Sequence, residues 1–84
     1  MKLLTDEQIK SNIAANARRL LATRKWTQKE LSEAADVPQM TVSVIVRGSH
    51  MPGVGILSRI AEALDVTIDR LIADPPGNNS RLSA

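Results

Sequence analysis

Apolar residues recur at three- and four-residue intervals along most of the chain. That spacing places them on one face of an α-helix, whereas a half-buried strand would alternate every second residue. The apolar segments are separated by short stretches rich in Pro, Gly and Asp, which favour turns. The pattern predicts an all-α domain built from five helices, with no repeat and no glycine-rich phosphate loop.

The first predicted helix begins after Thr5, which can act as its N-cap. Gln8 lies three residues further on, so the two side chains can form a capping box. The helix is expected to run to about Lys25 and to bury one apolar face. That face carries Ile9, Ile13, Ala17, Leu20 and Leu21. Trp26 follows it directly and is expected to plug the core between the first two helices.

Residues 28–47 predict two short helices joined by a sharp turn. Thr27 and Glu30 form a second potential capping box at the start of the pair. Asp36 ends the first of these helices, because aspartate tolerates the left-handed backbone that such a turn requires. Pro38 then fixes φ for the first turn of the second helix, which is expected over residues 38–46.

The second helix of this pair has two chemically different faces. Val42, Ile45 and Val46 point one way and are expected to be buried. The opposite face is almost free of acidic residues and carries Gln39, Met40, Ser43, Val44 and Arg47. A helix with one anchored face and one acid-free face can enter a groove lined with phosphates.

Two more helices are predicted after a loop of turn residues. The fourth spans Val54–Leu64, and Thr67 caps a short fifth helix that contains Ile68, Leu71 and Ile72. Proline and glycine at residues 75–77 then end the regular structure. The pattern divides the chain into a folded domain over residues 1–74 and a flexible tail over residues 75–84.

The composition narrows the possible functions. The 84 residues are enough for one small domain, whose core must consist of Leu, Ile, Val and Ala because Trp26 is the only aromatic residue. There is no cysteine and only His50, which argues against disulfides, thiolate chemistry and a His-based metal site. With no paired carboxylates on a predicted cleft either, neither an enzyme nor a cofactor is expected.

The sequence also bears on location. No apolar run approaches the ~20 residues that a membrane-spanning helix needs. The N-terminal segment lacks the apolar block of a signal peptide. The expected location is therefore the cytoplasm, with no membrane partner.

The charge is unevenly distributed along the chain. Residues 1–60 contain nine Lys or Arg and five Asp or Glu, a net charge of +4, whereas residues 61–84 contain two and four, a net charge of −2. A solvated surface would explain these charges by themselves. The asymmetry is more informative because the basic part of the sequence contains the paired helices, as expected for contact with nucleic acid.

Residues 28–47 resemble the helix-turn-helix of the lambda-repressor-like (Cro and phage-repressor) family. Five apolar positions fit that motif, which begins with a glutamine, here Gln28, and ends near a glycine, here Gly48. The five positions are Leu31, Ala35, Val37, Val42 and Ile45. Flanking segments match as well, so the resemblance covers roughly residues 9–73. It implies a five-helix DNA-binding domain with the recognition helix in the major groove.

The chain departs from the family at one informative pair of positions. Many members carry an arginine where Leu21 stands and a glutamate where Val46 stands, and these two side chains form a partly buried ion pair. Replacing both partners by well-packed apolar residues is often neutral or stabilising. We therefore expect the side chains of Leu21 and Val46 to touch.

The resemblance implies a set of DNA contacts. Gln28, with the helix N-terminus behind it, would bind a phosphate, and Lys29 could reach a flanking one. Gln39 would pair with adenine, while Met40 and Val44 would contact thymine methyl groups and Thr41 and Ser43 a base edge or a phosphate. The loop would add further phosphate contacts through Arg47, Ser49 and His50. For each of these residues, ordinary solvent exposure is the alternative explanation, and for Met40 and Val44 contact with a partner is another.

Family members often bind as two-fold dimers to palindromic half-sites about one helical turn apart. In this chain the residues after Ala63 are the expected homodimer interface, through Ile68, Leu71 and Ile72. The alternative is that these three side chains only close the core.

The leading hypothesis is a sequence-specific transcriptional regulator of double-stranded DNA, most simply a repressor of phage or bacterial type. An antitoxin of a toxin–antitoxin pair is the main alternative, because it would use the same domain and also bind a toxin protein. The short segment after Asp74 argues mildly against a toxin-wrapping tail. A further possibility is that the chain is the DNA-binding part of a longer repressor, with residues 75–84 beginning a linker.

Overall fold

A computed structural model describes residues 3–76 and contains five α-helices, with no strand in that range. They are α1 (Asp6–Arg24), α2 (Gln28–Ala35), α3 (Gln39–Val46), α4 (Val54–Ala63) and α5 (Ile68–Ile72). The predicted all-α fold is therefore confirmed. Most of the predicted tail, residues 77–84, lies outside the described residues, as do residues 1 and 2.

Local side-chain chemistry determines where three of the helices begin. At α1, Thr5 Oγ1 accepts the N–H of Gln8 at 3.1 Å, and Gln8 Oε1 accepts the N–H of Thr5 at 2.8 Å. Thr27 and Glu30 form the same reciprocal pair at α2, with the same distances. Thr67 caps α5 through the N–H of Arg70. Both predicted capping boxes and the Thr67 cap are confirmed, because each depends only on residues three apart.

Left-handed residues end three of the helical segments. Lys25, Asp36 and Asp65 have φ values of 58°, 55° and 58°. The left-handed conformation predicted for Asp36 is confirmed. α1 and α4 each end one residue earlier than predicted, at Arg24 and Ala63, because the next residues serve as their caps.

The five helices surround one apolar core, and each helix packs against two others. α1 packs on α3, α3 on α2, α2 on α4, α4 on α5, and α5 on α1. The buried cluster consists only of Leu, Ile, Val and Ala, as the composition predicts. Its largest fully buried members are Ile13, Leu31, Val42, Ile45, Ile60, Leu64 and Leu71. α3 is thus held from two sides, by α1 and by α2.

The apolar replacements at the family's ion-pair positions both lie in this core. Leu21 and Val46 are 7% and 4% exposed and belong to the same buried cluster, between helices that pack together. Their burial agrees with the exchange of an ion pair for apolar packing, and a direct contact between the two side chains remains a prediction.

Trp26 packs against the cluster and is only partly buried, with the guanidinium of Arg24 5.4 Å from its ring centre.

Two asparagines inside α1 hold the end of α5, a feature that the apolar pattern does not predict. Asn16, 1% exposed, donates through Nδ2 to the carbonyls of Leu71 and Ala73, both at 2.8 Å. Asn12 donates to the carbonyl of Ile72 at 3.0 Å and to Asp74 Oδ1 at 3.1 Å. The carbonyls at a helix C-terminus have no partner within the helix, so these amides supply donors for them, most importantly for the buried carbonyl of Leu71.

Candidate nucleic-acid interface

The turn between α2 and α3 is fixed mainly by backbone geometry. Asp36 adopts the left-handed conformation, and the next residue, Val37, donates its N–H to the carbonyl of Ser32 at 3.0 Å. The Val37 side chain is 3% exposed and anchors the turn in the core. Arg59 of α4 donates to the carbonyl of Asp36 at 3.4 Å, so α4 also contacts this turn.

Pro38 precedes α3 instead of occupying its first helical position. It is the N-cap, with φ −56° and ψ 142°, which corrects the expectation that it would lie inside the first turn. The residue has no side chain that could cap the helix, and the first turn contains no acidic residue. The first N–H groups of α3 consequently have no side-chain acceptor at the cap.

α3 shows the predicted division into two faces. Val42, Ile45 and Val46 are 0%, 1% and 4% exposed, so the inward face is confirmed. Gln39 and Met40 are exposed on the other side, and Met40 is 74% exposed. An apolar side chain this exposed at the start of a helix lies ready for contact with another molecule, although single exposed apolar residues are common on protein surfaces.

Three other residues predicted on or near the outward face are only partly accessible. Thr41, Ser43 and Val44 are of intermediate exposure. Val44 also packs against the core, so its assignment to a fully outward face is wrong. A helical wheel puts Val44 opposite Val42, but α3 is eight residues long and is enclosed by α1, α2 and the loop that follows it. Only part of the Val44 side chain is available to a ligand.

The loop after α3 closes the end of the helix in a Schellman arrangement. Gly48 has φ +74° and donates its N–H to the carbonyl of Ile45 at 3.0 Å. Ser49 donates both its N–H and its hydroxyl to the carbonyl of Val44, each at 3.1 Å. The glycine that marks the end of the motif in the sequence is therefore required by the left-handed backbone at this point.

The side chains of this loop lie on the surface. Arg47, Ser49 and His50 are all exposed. Arg47 donates through Nη1 to the hydroxyl of Ser43 at 2.6 Å, which holds its guanidinium back along α3. A guanidinium has five N–H donors, so this bond leaves others for a phosphate.

Two more candidates lie at the start of α2. Gln28 is partly exposed and Lys29 is exposed, directly after the Thr27 cap. The capping box uses the N–H groups of Thr27 and Glu30. The N–H groups of Gln28 and Lys29, in the first turn, remain available to an anion.

The three residues predicted for a dimer interface differ in accessibility. Leu71 is 0% exposed and belongs to the core, so the expectation that it contacts a partner is wrong. It faces inward because α5 is closed against α1, where Asn16 binds its carbonyl. Ile68 and Ile72 remain partly exposed. Ile68 also lines an open groove with neighbours from α4 and the following turn, which are Ser58, Ala61, Glu62, Asp65, Val66 and Thr67.

Two further features are absent from the part of the chain that the structure describes. Within residues 3–76, no group of three or more His, Cys, Asp and Glu side chains could hold a metal ion. In the same range, no helix is both long enough and apolar enough to cross a membrane.

Comparison with known proteins agrees with this geometry. The protein-family model described as Helix-turn-helix, HTH_3, matches residues 18–71, which include α2 and α3 and extend from α1 into α5. A search of the curated proteins gives no match.

Two solved structures share the fold. One is a hypothetical transcription factor, NHTF, from Neisseria, with a TM-score of 0.77 at 23% sequence identity; the match covers 98% of this chain and 93% of that one. The other is an HTH_3 family transcriptional regulator from Vibrio cholerae, with a TM-score of 0.75 at 24% identity. The match covers 93% of this chain but 42% of the Vibrio chain, so there the fold is part of a longer protein.

The family match spans well over half of the chain, and it includes the capped helix pair, the left-handed turn and the two-faced second helix described above. This chain belongs to the helix-turn-helix family of lambda-repressor-like, DNA-binding transcriptional regulators.

Proposed function

We propose that this regulator is a repressor that binds double-stranded DNA sequence-specifically, with α3 in the major groove. The observation that carries the proposal is the one-sided exposure of α3. Gln39 and Met40 are exposed at its start, whereas Val42 and Ile45 anchor its other side in the core. An anchored helix presents its outer side chains in a fixed orientation, which reading base edges requires.

The base contacts would come from the first half of α3. The amide of Gln39 can bond both N6 and N7 of adenine, and the exposed Met40 side chain suits a thymine methyl group. Thr41 and Ser43 can donate to a base edge or to a phosphate. Val44 would add at most a limited apolar contact, since much of its side chain packs against the protein.

The phosphate contacts would flank α3 on both sides. The available N–H groups of Gln28 and Lys29 form one site, helped by the α2 dipole and the Lys29 charge. Arg47, Ser49 and His50, exposed together in the loop after α3, form the other. Contacts of this kind set the register of the protein on the duplex and do not distinguish sequences.

The protein would bind its operator as a homodimer, with each α3 in one half of a palindromic site. Ile68 and Ile72 are partly exposed apolar residues on the short α5, and the groove beside Ile68 is lined by Val66 and Ala61. A two-fold contact there would bury apolar surface that a monomer leaves in water.

Selection of bound duplexes from random DNA, at moderate ionic strength and with the solution mass measured in parallel, tests this function. We expect enrichment of one sequence with two related half-sites about one helical turn (~10 bp) apart, bound by a dimer. If no sequence is enriched, the proposal of sequence-specific recognition fails. If a single half-site is enriched and bound by a monomer, the dimer fails and recognition stands.

An antitoxin would bind DNA through the same surface, so operator binding does not separate the two roles. It would in addition bind a toxin protein, and a small toxin-like reading frame beside the gene would favour it. Repressor is the simpler assignment, because every candidate contact in the described residues is explained by DNA or by a second copy of the chain.

A further inference from the structure

We propose that Arg18, on α1, is a positioning residue for the recognition helix: it fixes the C-terminal end of α3 without itself touching DNA. This inference rests on the proposed DNA-binding role of α3. It concerns a different helix and a residue to which neither the apolar pattern nor the family resemblance gives a role.

The first support is a hydrogen bond between helices. Arg18 Nη1 donates to the backbone carbonyl of Val46, the last residue of α3. Its partner lies 28 positions away in the sequence, so the bond joins two separate elements. Bonds from a guanidinium to a carbonyl are charge-assisted and stronger than those between neutral groups.

The last four backbone carbonyls of α3 give the second support, because each of them has a hydrogen-bond donor. The loop satisfies three of them, because Arg47, Gly48 and Ser49 donate their N–H groups to Ser43, Ile45 and Val44. The remaining carbonyl, that of Val46, is the one that Arg18 binds. Arg18 also adds a second positive charge, beside that of the C-cap Arg47, at a helix C-terminus that favours cations.

The third support is the close approach of α1 at the same place. Ala14 lies four residues before Arg18, on the same side of α1. A Cβ added to Gly48 would lie 3.3 Å from the Cβ of Ala14, so the loop backbone runs directly against α1. Leu21 and Val46 are buried in the core between the same two helices, and apolar packing alone permits small rotations that a directional bond resists.

The side chain of Arg18, on α1, therefore binds the backbone of α3, whereas Leu21 and Val46 add only apolar packing between the same two helices. The consequence is that the orientation of α3, and with it the placing of Gln39 and Met40, depends on a residue outside the helix pair.

The test compares Arg18→Met with Arg24→Met. Methionine keeps an unbranched apolar side chain and removes the charge and all donors. Arg24 is a matched control, because it lies on the same helix and donates in the same way, at 2.7 Å, to a carbonyl at the end of α4, that of Leu64. Both variants lose one positive charge, and only Arg18→Met loses a bond to α3.

The readout is the ratio of affinity for the selected operator to affinity for a scrambled duplex, at a temperature where every protein is folded by circular dichroism. For Arg18→Met we expect this ratio to fall about three- to tenfold, within the range of one charge-assisted bond. For Arg24→Met the ratio should stay at the wild-type value. The salt dependence of operator binding should be equally steep in both, because neither residue neutralises a phosphate.

Two results would overturn the inference. One is an unchanged ratio in Arg18→Met, which would leave Arg18 a purely structural residue. The other is a salt slope shallower by about one unit, which would make Arg18 a direct phosphate contact. If Arg18→Met does not fold, Arg18→Gln provides the same comparison with a polar helix-forming residue. Failure of the wild-type protein to prefer any duplex would instead refute the proposed function.

Discussion

Gly48 illustrates how one residue can satisfy two requirements at once. Its φ of +74° suits a residue without a side chain, and its backbone lies against Ala14 of α1. The conformational requirement is visible in the sequence, where a glycine follows a helix and ends the motif. The steric requirement is not, because it depends on where α1 lies in space.

Replacing Gly48 by alanine should destabilise the domain by about 1–2 kcal/mol, because alanine is strained in the left-handed region and its Cβ would crowd Ala14. Thermal unfolding measures the effect. Gly55→Ala is the matched control, since Gly55 lies in α4 with no atom within 4 Å of an added Cβ. It should be neutral or stabilising by up to about 1 kcal/mol. Equal stability of the two variants would show that Gly48 carries no special constraint.

At the scale of elements, the helices were predictable where their causes are local. The capping residues Thr5, Thr27 and Thr67 act over three positions, and the buried face of α3 follows from helical spacing. The left-handed Asp36 was also predictable, because few residues other than glycine, asparagine and aspartate adopt that conformation readily.

Features that depend on how the helices meet were not predictable. Nothing in the apolar pattern marks Arg18, which binds the end of α3. Asn12 and Asn16 interrupt the apolar pattern of α1 and gave no sign that they face the end of α5. Val44 lies opposite the core on a helical wheel, and yet it packs against the protein. In each case the partner lies on another element.

The junction of α1 and α5 provides a stability prediction. Asn16→Ala should destabilise the fold by about 1–3 kcal/mol, because the buried carbonyl of Leu71 and the partly buried carbonyl of Ala73 would lose their donor. Ser11→Ala is the control, an exposed change on the same helix that should stay within about 0.5 kcal/mol of the wild type. Chemical denaturation of both variants gives the comparison. An unaffected Asn16→Ala would mean that water replaces the amide without cost.

At the scale of the whole molecule, the two proposed contacts lie on different helices. The part of the chain that contains α2 and α3 is net basic, whereas residues 61–84 are net acidic, and the partly exposed Ile68 and Ile72 lie on α5. Net positive charge suits a polyanion, and partly exposed apolar side chains suit a second copy of the chain. The two proposed contacts therefore use different parts of the domain and can be tested separately.

The proposed dimer contact should be disrupted by Ile68→Glu, since a carboxylate would have to be buried in the interface without a partner. Glutamate is acceptable in the first turn of α5, so the helix itself should form. Val54→Glu is the control, because Val54 is 77% exposed at the start of α4, away from α5. We expect the solution mass to fall from dimer to monomer in Ile68→Glu alone. A folded Ile68→Glu variant that is still dimeric would show that the dimer interface does not include Ile68.

The central claim is that α3 reads bases while the loop after it binds phosphates. Binding of Gln39→Ala and Arg47→Ala to the selected operator and its single-base variants, across a range of salt concentrations, tests it most directly. Gln39→Ala should lose about 1–3 kcal/mol and discrimination at one base position, with the salt slope unchanged. Arg47→Ala should weaken binding to all sequences alike, with a salt slope shallower by about one unit. Wild-type binding by both variants would contradict the account.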